Sequence, residues 1–299
     1  MKKIKTCLIS VFYKTNLDKI VALLKEQGVQ IYATGGTYDF IKDLDDSVKT
    51  IESLTTYPSI LGGRVKTLHP KVFGGILGRL QNEKDVEEMK QYEIPAFDLV
   101  IVDLYPFEET VKKTDDPAQI IEKIDIGGIS LIRAGAKNFN EVVIVPDSKY
   151  YLEFMELYKN QDGCTSIEDR KRFAKYAFAT SSHYDGMIYD WFAKDDDVSD
   201  LNIHIDSRSE LRYGENPHQK ATFYGNLDDV FEKLHGKDLS YNNLLDLEAG
   251  LNLIREFDEP TFAILKHNNP CGIASRTTIA EAYQAALAGD PVSAFGGVF

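Results

Sequence analysis

The stretch LGGRVKTLHPKVFGGIL, residues 61–77, sets cationic side chains among glycines in an acidic chain. Arg64 offers a rigid fork of donors for a phosphate or carbonyl oxygen, and Lys66 can act as a point charge or a proton donor. Because the neighbouring glycines leave the approach open, a site for a small anionic ligand is one interpretation, and a solvated basic loop is the other. His69 precedes a proline and is more typical of a structural turn, so we leave it outside the site.

The stretch ATGGT, residues 33–37, has the composition of a phosphate loop between a strand and a helix. Its glycines let the backbone approach a ligand, and N–H groups at a helix start attract phosphate, with the Thr34 and Thr37 hydroxyls as further donors. The alternative is a tight strand-to-helix turn with Thr37 as its N-cap. Lys14 follows the first predicted strand, so it belongs to the carboxyl edge of the sheet, where open parallel sheets bind ligands.

Three further motifs carry groups suited to acid–base chemistry. Tyr105 in DLYPF follows a predicted strand, and it either points its phenol into the same cleft or is a core aromatic. Asp125 in IDIGG and Lys137 in RAGAKN would form an acid–base or oxyanion pair if they met in one cleft. Separation along the sequence proves no contact, so this convergence is a hypothesis.

The second half of the chain contains two comparable motifs. In LKHNNPCG, Lys266 and His267 are adjacent before an Asn-Asn-Pro turn, and the lysine disfavours the charged imidazole, which favours a neutral base near pH 7. In LRYGENPHQ, Arg212 and Tyr213 are a plausible clamp for an anion and a flat ring. Either motif alone is equally compatible with a structural role.

Composition restricts the classes of function. The chain has 47 Asp and Glu against 34 Lys and Arg, a formal net charge of −13, which repels nucleic acid. No apolar run approaches the roughly 20 residues of a membrane-spanning helix, and the N-terminal MKKIKTCLISVF is better explained as a strand than as a leader. The three cysteines are far apart, which argues against a disulfide framework or a metal site. We therefore expect a cytoplasmic protein without metal, nucleic acid or membrane.

Hydrophobic patterning predicts alternating strands and helices in the first part of the chain. The strand candidates are IKTCLISVF, VQIYAT, VKTIESL, FDLVIVDLY and EVVIVPD, and the helical stretches include LDKIVALLKEQG, DPAQIIEKI and GISLIRAGAKN. This alternation predicts an α/β fold with a mostly parallel sheet covered on both faces. A long helix is predicted from about Ser166 to Asp195, with Gly186 as a candidate break.

A domain boundary is predicted at the acidic run KDDDVSD, residues 194–200, with a solvated helix end as the alternative. We divide the chain into residues 1–197 and 198–299. The second part contains helical stretches near LEAGLNLIREF and TIAEAYQAALAG and a strand TFAILKH. Because it stops at an apolar Val-Phe, we expect it to be an incomplete, C-terminally truncated domain.

Taken together and in order, these motifs resemble the bifunctional purine-biosynthesis enzymes that combine phosphoribosylaminoimidazolecarboxamide formyltransferase with IMP cyclohydrolase. The resemblance covers nearly the whole chain and rests on LISV, Lys14, ATGGT, LGGRVKTLHP, DLYPF, IDIGG, RAGAKN, RYGENPHQ, LSYNN, LKHNNPCG and DPVSAFGG. It implies a methylglyoxal-synthase-like parallel-sheet domain over residues 1–197. The start of a cytidine-deaminase-like α/β formyltransferase domain would follow over residues 198–299.

The resemblance implies that the first domain closes 5-formamidoimidazole-4-carboxamide ribotide to IMP with loss of water. The residues expected to hold the 5′-phosphate are Lys14, Thr34, Gly35, Gly36 and Thr37. The residues expected at the base end are Arg64, Lys66, Thr67 and Asp103, and Ser10 and Phe12 are further substrate-binding positions. The expected catalytic residues, which would polarise the formyl oxygen and relay protons, are Lys66, Tyr105, Asp125 and Lys137. No metal or tightly bound cofactor is implied.

The second domain is expected to transfer a formyl group from 10-formyltetrahydrofolate, a co-substrate, to the amino group of 5-aminoimidazole-4-carboxamide ribotide. His267 would be its base, assisted by Lys266, and the ribotide would be bound by Arg212, Tyr213, Asn243 and Gly296. The family builds this site across a homodimer, and its folate contacts lie beyond Phe299. We therefore expect cyclohydrolase activity but little or no formyltransferase activity from this chain.

Three positions depart from the family pattern. Tyr13 and Asn16 in SVFYKTN stand where the family commonly has Asp and Gly, which affects the shape of the first phosphate loop. Gly135 replaces the usual alanine in RAGAKN, and we expect a slight loosening of its helix.

Two other functions stay open on the sequence. A methylglyoxal-synthase-like lyase would share the TGGT loop, but it leaves RVKTLHP, IDIGG and the second part of the chain unexplained. A regulatory module that binds a nucleotide or sugar phosphate without chemistry would not need Lys66, Tyr105, Asp125 and Lys137 together.

Overall fold

The chain divides into two compact units, Met1–His204 and Ile205–Phe299. The structure, a computed structural model, describes residues 1–197, 200, 201, 203, 205 and 207–299. The predicted boundary at residues 197 and 198 therefore falls at the edge of the described residues, because 198 and 199 lie outside them. The assignment of one activity to each part stays a prediction.

A five-stranded parallel sheet forms the centre of the first unit. The strands of this unit are β1 (Lys2–Lys3), β2 (Thr6–Ser10), β3 (Gln30–Ala33), β4 (Lys49–Thr50), β5 (Leu99–Val102), β6 (Val143–Val145) and β7 (Cys164–Thr165). The sheet has the order β4-β3-β2-β5-β6, and β1 pairs antiparallel with β7 in a separate ribbon. All four residues of β5 are buried apolar side chains, which is typical of a strand covered on both faces.

Helices cover both faces of this sheet. They are α1 (Leu17–Glu26), α2 (Gly35–Lys42), α3 (Ile51–Thr55), α4 (Pro70–Leu77), α5 (Glu83–Gln91), α6 (Phe107–Lys113), α7 (Pro117–Ile121), α8 (Gly127–Lys137), α9 (Tyr151–Asn160) and α10 (Ile167–Phe192), with 3₁₀ turns at Leu61–Gly63 and Ser148–Tyr150. Ile9 and alternate strand residues pack with α1 and α9, whereas Leu8 and Val100 pack on the other face with α4, α8 and α10. Each fully buried Leu or Ile contributes roughly 1.5–3 kcal/mol, so the two apolar layers hold the strand ends in place.

Two predicted elements of the first unit differ from the structure. VKTIESL is a strand only over Lys49–Thr50, because the Thr50 hydroxyl accepts the Ser53 N–H at 3.1 Å and starts α3. α10 runs unbroken through Gly186. A glycine inside a helix costs about 1 kcal/mol, which the packing of neighbours such as Tyr184 offsets.

The second unit contains two antiparallel strand pairs and two helices. Its elements are β8 (Arg208–Leu211), β9 (Ala221–Tyr224), α11 (Tyr241–Ile254), β10 (Thr261–Lys266), β11 (Asn269–Ser275) and α12 (Ile279–Leu287), with a 3₁₀ turn at Leu227–Asp229. β8 pairs with β9 and β10 with β11. The turn after β10 consists of His267 and Asn268, with φ of 53° and 62°, and the chain is extended again from Asn269. The predicted Asn-Asn-Pro turn is therefore misplaced: the observed two-residue hairpin turn begins one residue earlier and ends two residues earlier.

Among the described residues, no helix combines the length and apolar character needed to cross a membrane. In the same part of the chain, His, Cys, Asp and Glu side chains form no group of three or more that could hold a metal ion.

Candidate active site

A cavity of about 530 Å³ opens at the carboxyl ends of β2, β3 and β5 in the first unit. This is the edge at which open parallel sheets bind ligands, and the volume suits a small molecule. The predicted site residues that line it are Ser10, Phe12, Lys14, Thr34, Gly36, Thr37, Arg64, Lys66, Thr67, Asp103, Tyr105 and Asp125. The sheet thus collects motifs that are up to 115 residues apart, Ser10 and Asp125 being the extremes.

One end of the cavity is formed by the start of α2. Thr34 is the N-cap of this helix, and its hydroxyl lies 2.9 Å from the Ser10 hydroxyl. Thr37 lies inside the helix, where its hydroxyl donates to Val11 O at 2.8 Å and accepts the Val11 N–H at 3.1 Å. The interpretation of Thr37 as the N-cap is therefore wrong. The first N–H groups of a helix have no intrahelical partner, so this end can receive an anion.

Two lysines flank the start of α2. The Lys14 ammonium donates to Val11 O at 2.5 Å and to Phe12 O at 3.0 Å. Burial lowers the pKa of Lys14, Asp103 opposes that shift, and Lys66 adds to it. A Cβ atom on Gly35 would lie 3.9 Å from the Lys66 ammonium, so Lys66 reaches the same helix end.

Asp125 lies on the opposite wall of the cavity, just before α8. Its carboxylate accepts the Gly128 N–H at 2.5 Å, and a Cβ atom on Gly128 would lie 2.9 Å from both carboxylate oxygens. Burial raises the pKa of Asp125, against the lowering effect of backbone N–H groups and of Lys66. Tyr184 of α10 fixes this segment, because its hydroxyl donates to Lys123 O at 2.7 Å and accepts the Asp125 N–H at 2.9 Å. A buried carboxyl with a raised pKa is suited to moving a proton.

Two half-exposed aromatic rings form a further part of the cavity wall. Phe12 and Tyr105 meet edge to face with 5.7 Å between ring centroids, and the Lys123 ammonium lies about 6 Å from each centroid. Burial is the main cause that raises the pKa of the Tyr105 phenol, which keeps it protonated as a hydrogen-bond donor. The rings offer a flat apolar surface beside the acid–base groups.

Asp103 differs from the expected base-end contact. Its two carboxylate oxygens accept the N–H groups of Phe12 and Tyr13, the latter at 2.9 Å. Burial raises the pKa of Asp103 to about 6, although these N–H groups and Lys14 lower it. The carboxylate is thus already engaged by the loop that follows β2.

Arg64 pairs with Glu122 across the mouth of the cavity, with its Nε atom 3.3 Å from Glu122 Oε1. Both side chains are exposed, so the pair contributes little stability. Sequence reasoning missed Glu122, because a carboxylate in a charged helical stretch carries no signal of its own. His69 is the N-cap of α4, where its Nδ1 accepts the Lys71 N–H at 3.1 Å, which confirms its structural interpretation.

The structure does not bring Lys137 to this cavity. Lys137 is exposed at the last residue of α8, whereas Gly127 and Gly128 at the first turn line the cavity. Eleven helical residues span about 15 Å, and Lys137 is not among the residues that line the cavity. The convergence of Lys137 with Asp125 and its catalytic role therefore stay predictions.

The departures at Tyr13, Asn16 and Gly135 have structural explanations. Asn16 has a φ of 61°, a left-handed conformation that suits glycine and that asparagine tolerates. The Tyr13 hydroxyl donates to Glu109 at 2.6 Å and ties the loop to α6. A Cβ atom on Gly135 would lie 3.1 Å from Ile144 Cβ, so the glycine lets α8 lie close to β6.

The six predicted residues of the second unit fall into two groups, one at the start of α11 and one at the end of β10. Arg212 lies 4.9 Å from the Tyr213 ring centroid, Tyr213 bonds to Ser240, and Ser240 forms a capping box with Asn243. One turn further along α11, Asp246 accepts the Asn268 N–H at 2.8 Å beside His267. The Lys266 ammonium donates to Phe295 O at 2.9 Å, next to Gly296, which has a φ of 76°.

The first unit is an α/β domain with a parallel sheet, and a cavity lies at the carboxyl edge of that sheet. The start of α2 and several titratable side chains line this cavity. A model of the MGS-like domain matches residues 16–130, and a model described as AICARFT/IMPCHase bienzyme matches residues 135–299. The chain belongs to the AICARFT/IMPCHase bienzyme family.

Individual proteins that resemble this chain support the same family assignment. The bifunctional purine biosynthesis protein PurH of Bacteroides thetaiotaomicron is 57% identical over 297 residues, and that of Rhodospirillum rubrum is 45% identical over 303 residues. Each match covers 99% of this chain and 58% of the relative, so the chain spans a little over half of their length. A solved structure described as "Crystal structure of ForH" is 35% identical with a TM-score of 0.56, and the match covers 63% of this chain and 97% of that one.

Proposed function

We propose that the first unit closes 5-formamidoimidazole-4-carboxamide ribotide to IMP with loss of water. One observation carries this proposal: the cavity has Lys14 at the start of α2 and Asp125 just before α8, and Lys66 lies within electrostatic reach of both. Such a cavity suits a molecule with a phosphate at one end and a reacting heterocycle at the other. The family membership and the PurH relatives support the same activity.

The reaction needs positioning, charge stabilisation and two proton movements. The carboxamide nitrogen attacks the formyl carbon, an N–C bond forms, and the formyl oxygen gains negative charge. That oxygen then leaves as water, with one proton from the carboxamide nitrogen and one from the formamido nitrogen. Because the attack is intramolecular, orientation and oxyanion stabilisation account for most of the acceleration.

The cavity residues match these needs. Arg64 and Lys66 present donors for oxygen atoms of the ring portion, and Lys66 also stabilises charge on the formyl oxygen. Asp125 has a raised pKa and moves protons between nitrogen and oxygen. Phe12 and Tyr105 supply an apolar wall for the heterocycle, with the Tyr105 phenol as a donor. No step requires a metal or a redox cofactor.

Turnover by the purified chain tests the proposal. The chain is incubated with the formylated ribotide, and IMP is followed by its ultraviolet absorbance. Lys66→Ala is expected to abolish IMP formation with a modest loss of IMP affinity, because Lys66 acts mainly in the transition state. Lys42→Ala at the exposed end of α2 is the matched control, and Lys137→Ala measures the role of the lysine that lies outside the cavity.

Other outcomes contradict parts of the proposal. If affinity and turnover fall together in Lys66→Ala, Lys66 binds the ligand and does not catalyse. If a folded wild-type chain binds IMP but forms none, the regulatory binding module is the better assignment.

We further propose that the second unit belongs to a formyltransferase site that uses 10-formyltetrahydrofolate as co-substrate, with Lys266 and His267 beside the reacting amine. Two observations support this assignment: Arg212 and Tyr213 lie at the start of α11 with Asn243, and Asp246 of the same helix binds the Asn268 N–H beside His267. Homodimer formation and a cytoplasmic location belong to the same proposal. Light scattering of the purified chain tests the dimer, because a monomer at micromolar concentration would contradict it.

A further inference from the structure

Two buried aspartates flank β5 and make the same kind of contact at opposite ends of β2. Asp98 precedes β5, and its Oδ2 accepts the N–H groups of Lys5 and Thr6 at 2.9 and 3.1 Å. Asp103 follows β5, and its carboxylate accepts the N–H groups of Phe12 and Tyr13. Both aspartates are 8% exposed. Of the two, only Asp103 lines the cavity. A comparison of variants at the two positions can therefore distinguish an effect on the fold from an effect on the site.

The residues after β2, here called the 11–14 loop (residues 11–14), are held on every side. Thr37 bonds both backbone groups of Val11, and the Lys14 ammonium binds the carbonyls of Val11 and Phe12. Asp103 supplies a further contact, because its two oxygens take two consecutive N–H groups of the loop. Its acceptors are thus directed at the backbone, although the residue lines the cavity.

We propose that Asp103 is a positioning residue of the cavity: its carboxylate fixes the 11–14 loop so that Lys14 is presented to the phosphate end of the ligand. The proposal rests on the proposed function only in that the ligand carries a phosphate. An asparagine side chain at this position has only one acceptor oxygen, which can bind one of the two loop N–H groups. Its NH₂ group would face the other N–H, and two donors cannot bond to each other. The loop would therefore lose one of its two contacts.

Protonation of Asp103 should weaken the same contact. The titratable and charged groups that face Asp103 from neighbouring elements are Lys14, Tyr13, Tyr105, Asp147 and Tyr151. Of these, Lys14 favours the carboxylate and Asp147 opposes it. The loop contact is therefore expected to weaken as pH falls through the pKa of Asp103, about 6.

Backbone NMR tests the contact independently of any activity. In protein labelled with ¹⁵N-tyrosine, the Tyr13 amide is assigned through Tyr13→Phe and followed from pH 5 to 8. A carboxylate-bound N–H shifts strongly when its acceptor is protonated, so we expect a titration in the wild type that is absent in Asp103→Asn. A Tyr13 amide whose chemical shift is the same in the wild type and in Asp103→Asn overturns the proposal.

Ligand binding tests the positioning role. We expect Asp103→Asn to raise the Kd for IMP and the KM for the formylated ribotide roughly tenfold, with kcat changed less than about threefold. Asp98→Asn makes the same chemical change at a buried aspartate away from the cavity, where one oxygen, Oδ2, accepts both N–H groups and an amide oxygen can replace it. We expect this variant to leave both constants unchanged. Asp103→Glu keeps the charge and should restore part of the affinity if Asp103→Asn folds poorly.

Different outcomes identify different errors. Equal losses in Asp98→Asn and Asp103→Asn would reduce Asp103 to a structural residue, and a fall in kcat alone would make it a catalytic residue. Binding of IMP by a wild type that forms none would contradict the proposed cyclisation, while the NMR and affinity arms would still decide the role of Asp103. If IMP does not bind, the Tyr13 amide shift is compared between the wild type and Asp103→Asn, and no difference overturns the proposal.

Discussion

At the scale of single residues, Gly128 determines whether Asp125 can hold its position. A Cβ atom at residue 128 would lie 2.9 Å from both oxygens of the carboxylate, closer than real side chains approach. The Asp125 side chain would have to rotate away and would lose the 2.5 Å contact with the Gly128 N–H. The second glycine of IDIGG is therefore explained by the space that this carboxylate needs, whereas a Cβ atom on the first, Gly127, would lie 3.0 Å from the Thr67 hydroxyl.

We expect Gly128→Ala to lower kcat for IMP formation at least roughly tenfold, because a displaced acid–base group no longer meets the reacting atoms. The measurement is steady-state kinetics together with far-ultraviolet circular dichroism. Gly135→Ala in the same helix is the control, since its Cβ atom would meet Ile144 in the core. Equal activity of Gly128→Ala and wild type would remove Asp125 from the mechanism.

The backbone conformation of Asn16 restricts which residue types can stand at this position. Its φ of 61° is costly for residues with a Cβ atom, although less so for asparagine than for others. We expect Asn16→Ala to lower the free energy of unfolding by about 1 kcal/mol, and Asn16→Gly to change it little. Urea denaturation checks both values. A stabilised alanine variant would mean that the loop adopts another conformation.

At the scale of elements, the loop that carries Arg64 and Lys66 depends on an unusual run of backbone conformations. Leu61, Gly62 and Gly63 have φ of 53°, 67° and 93°, and the loop is closed by a bridge between Ile60 and Val65. Glycine at residue 63 meets a conformational requirement there, because a φ near 93° strains any side chain. The loop therefore presents its cations in one defined shape.

Gly63→Ala is expected to raise KM for the formylated ribotide several-fold, because relief of about 1–2 kcal/mol of strain would shift the loop and its two cations. Gly28→Ala is the matched control: Gly28 has a φ of 68° after α1, away from the cavity. Both variants should lose similar stability in thermal unfolding, and only Gly63→Ala should change KM. A KM effect in both variants would assign it to global destabilisation.

Two helix starts converge on the same cavity. Gly36 of α2 and Gly127 and Gly128 of α8 all line it, but the Gly128 N–H is bonded to the Asp125 carboxylate. The N–H groups at the start of α2 therefore add to the positive potential of Lys14 and Lys66, whereas the start of α8 holds a carboxylate. In a chain with a net charge of −13, we expect an anion to bind at the start of α2.

At the scale of the whole molecule, Asp103 couples the cavity to the stability of the fold. Its pKa of about 6 lies above its ordinary value of 3.8, so between pH 4 and 6 the folded state binds more protons than the unfolded state. Its contribution to stability is therefore complete below about pH 4 and is lost as pH rises through 6.

We accordingly expect the free energy of unfolding of the wild type, relative to Asp103→Asn, to decrease from pH 4.5 to pH 6.5 and to stay constant above pH 7. Urea denaturation of both proteins at several pH values gives this difference directly, because all other titrating groups are shared. A difference that increases with pH would mean that the pKa of Asp103 lies below its usual range.

The two units also differ in how deeply their predicted site residues are buried. Asp125 and Thr67 are buried at the cavity, whereas His267 and Arg212 in the second unit are exposed to water. Water exclusion strengthens electrostatic catalysis, so we expect IMP from the formylated ribotide but at most traces from the unformylated ribotide with 10-formyltetrahydrofolate. Comparable rates of both reactions in one ultraviolet assay would contradict this expectation.

The sequence by itself determined the alternation of strands and helices and the motifs that follow the strands, although not every limit of an element. Period-two and continuous apolar runs identified β2, β3, β5 and β6, because a strand buried on both faces must be apolar throughout. The glycine positions predicted the loops, since few other residues adopt their conformations. Motifs in order also carried the resemblance to the family, which the family model confirms.

Only the tertiary structure decided which of these residues meet. Lys66, Tyr105 and Asp125 share a cavity because parallel strands end at one edge of the sheet, whereas α8 carries Lys137 about 15 Å from its first turn. The structure also determined what the Asp103 carboxylate contacts, because its backbone partners are some 90 residues earlier in the chain. Hydrogen bonds and burial depend on distances in space, and local sequence patterns contain no information on those distances between remote segments.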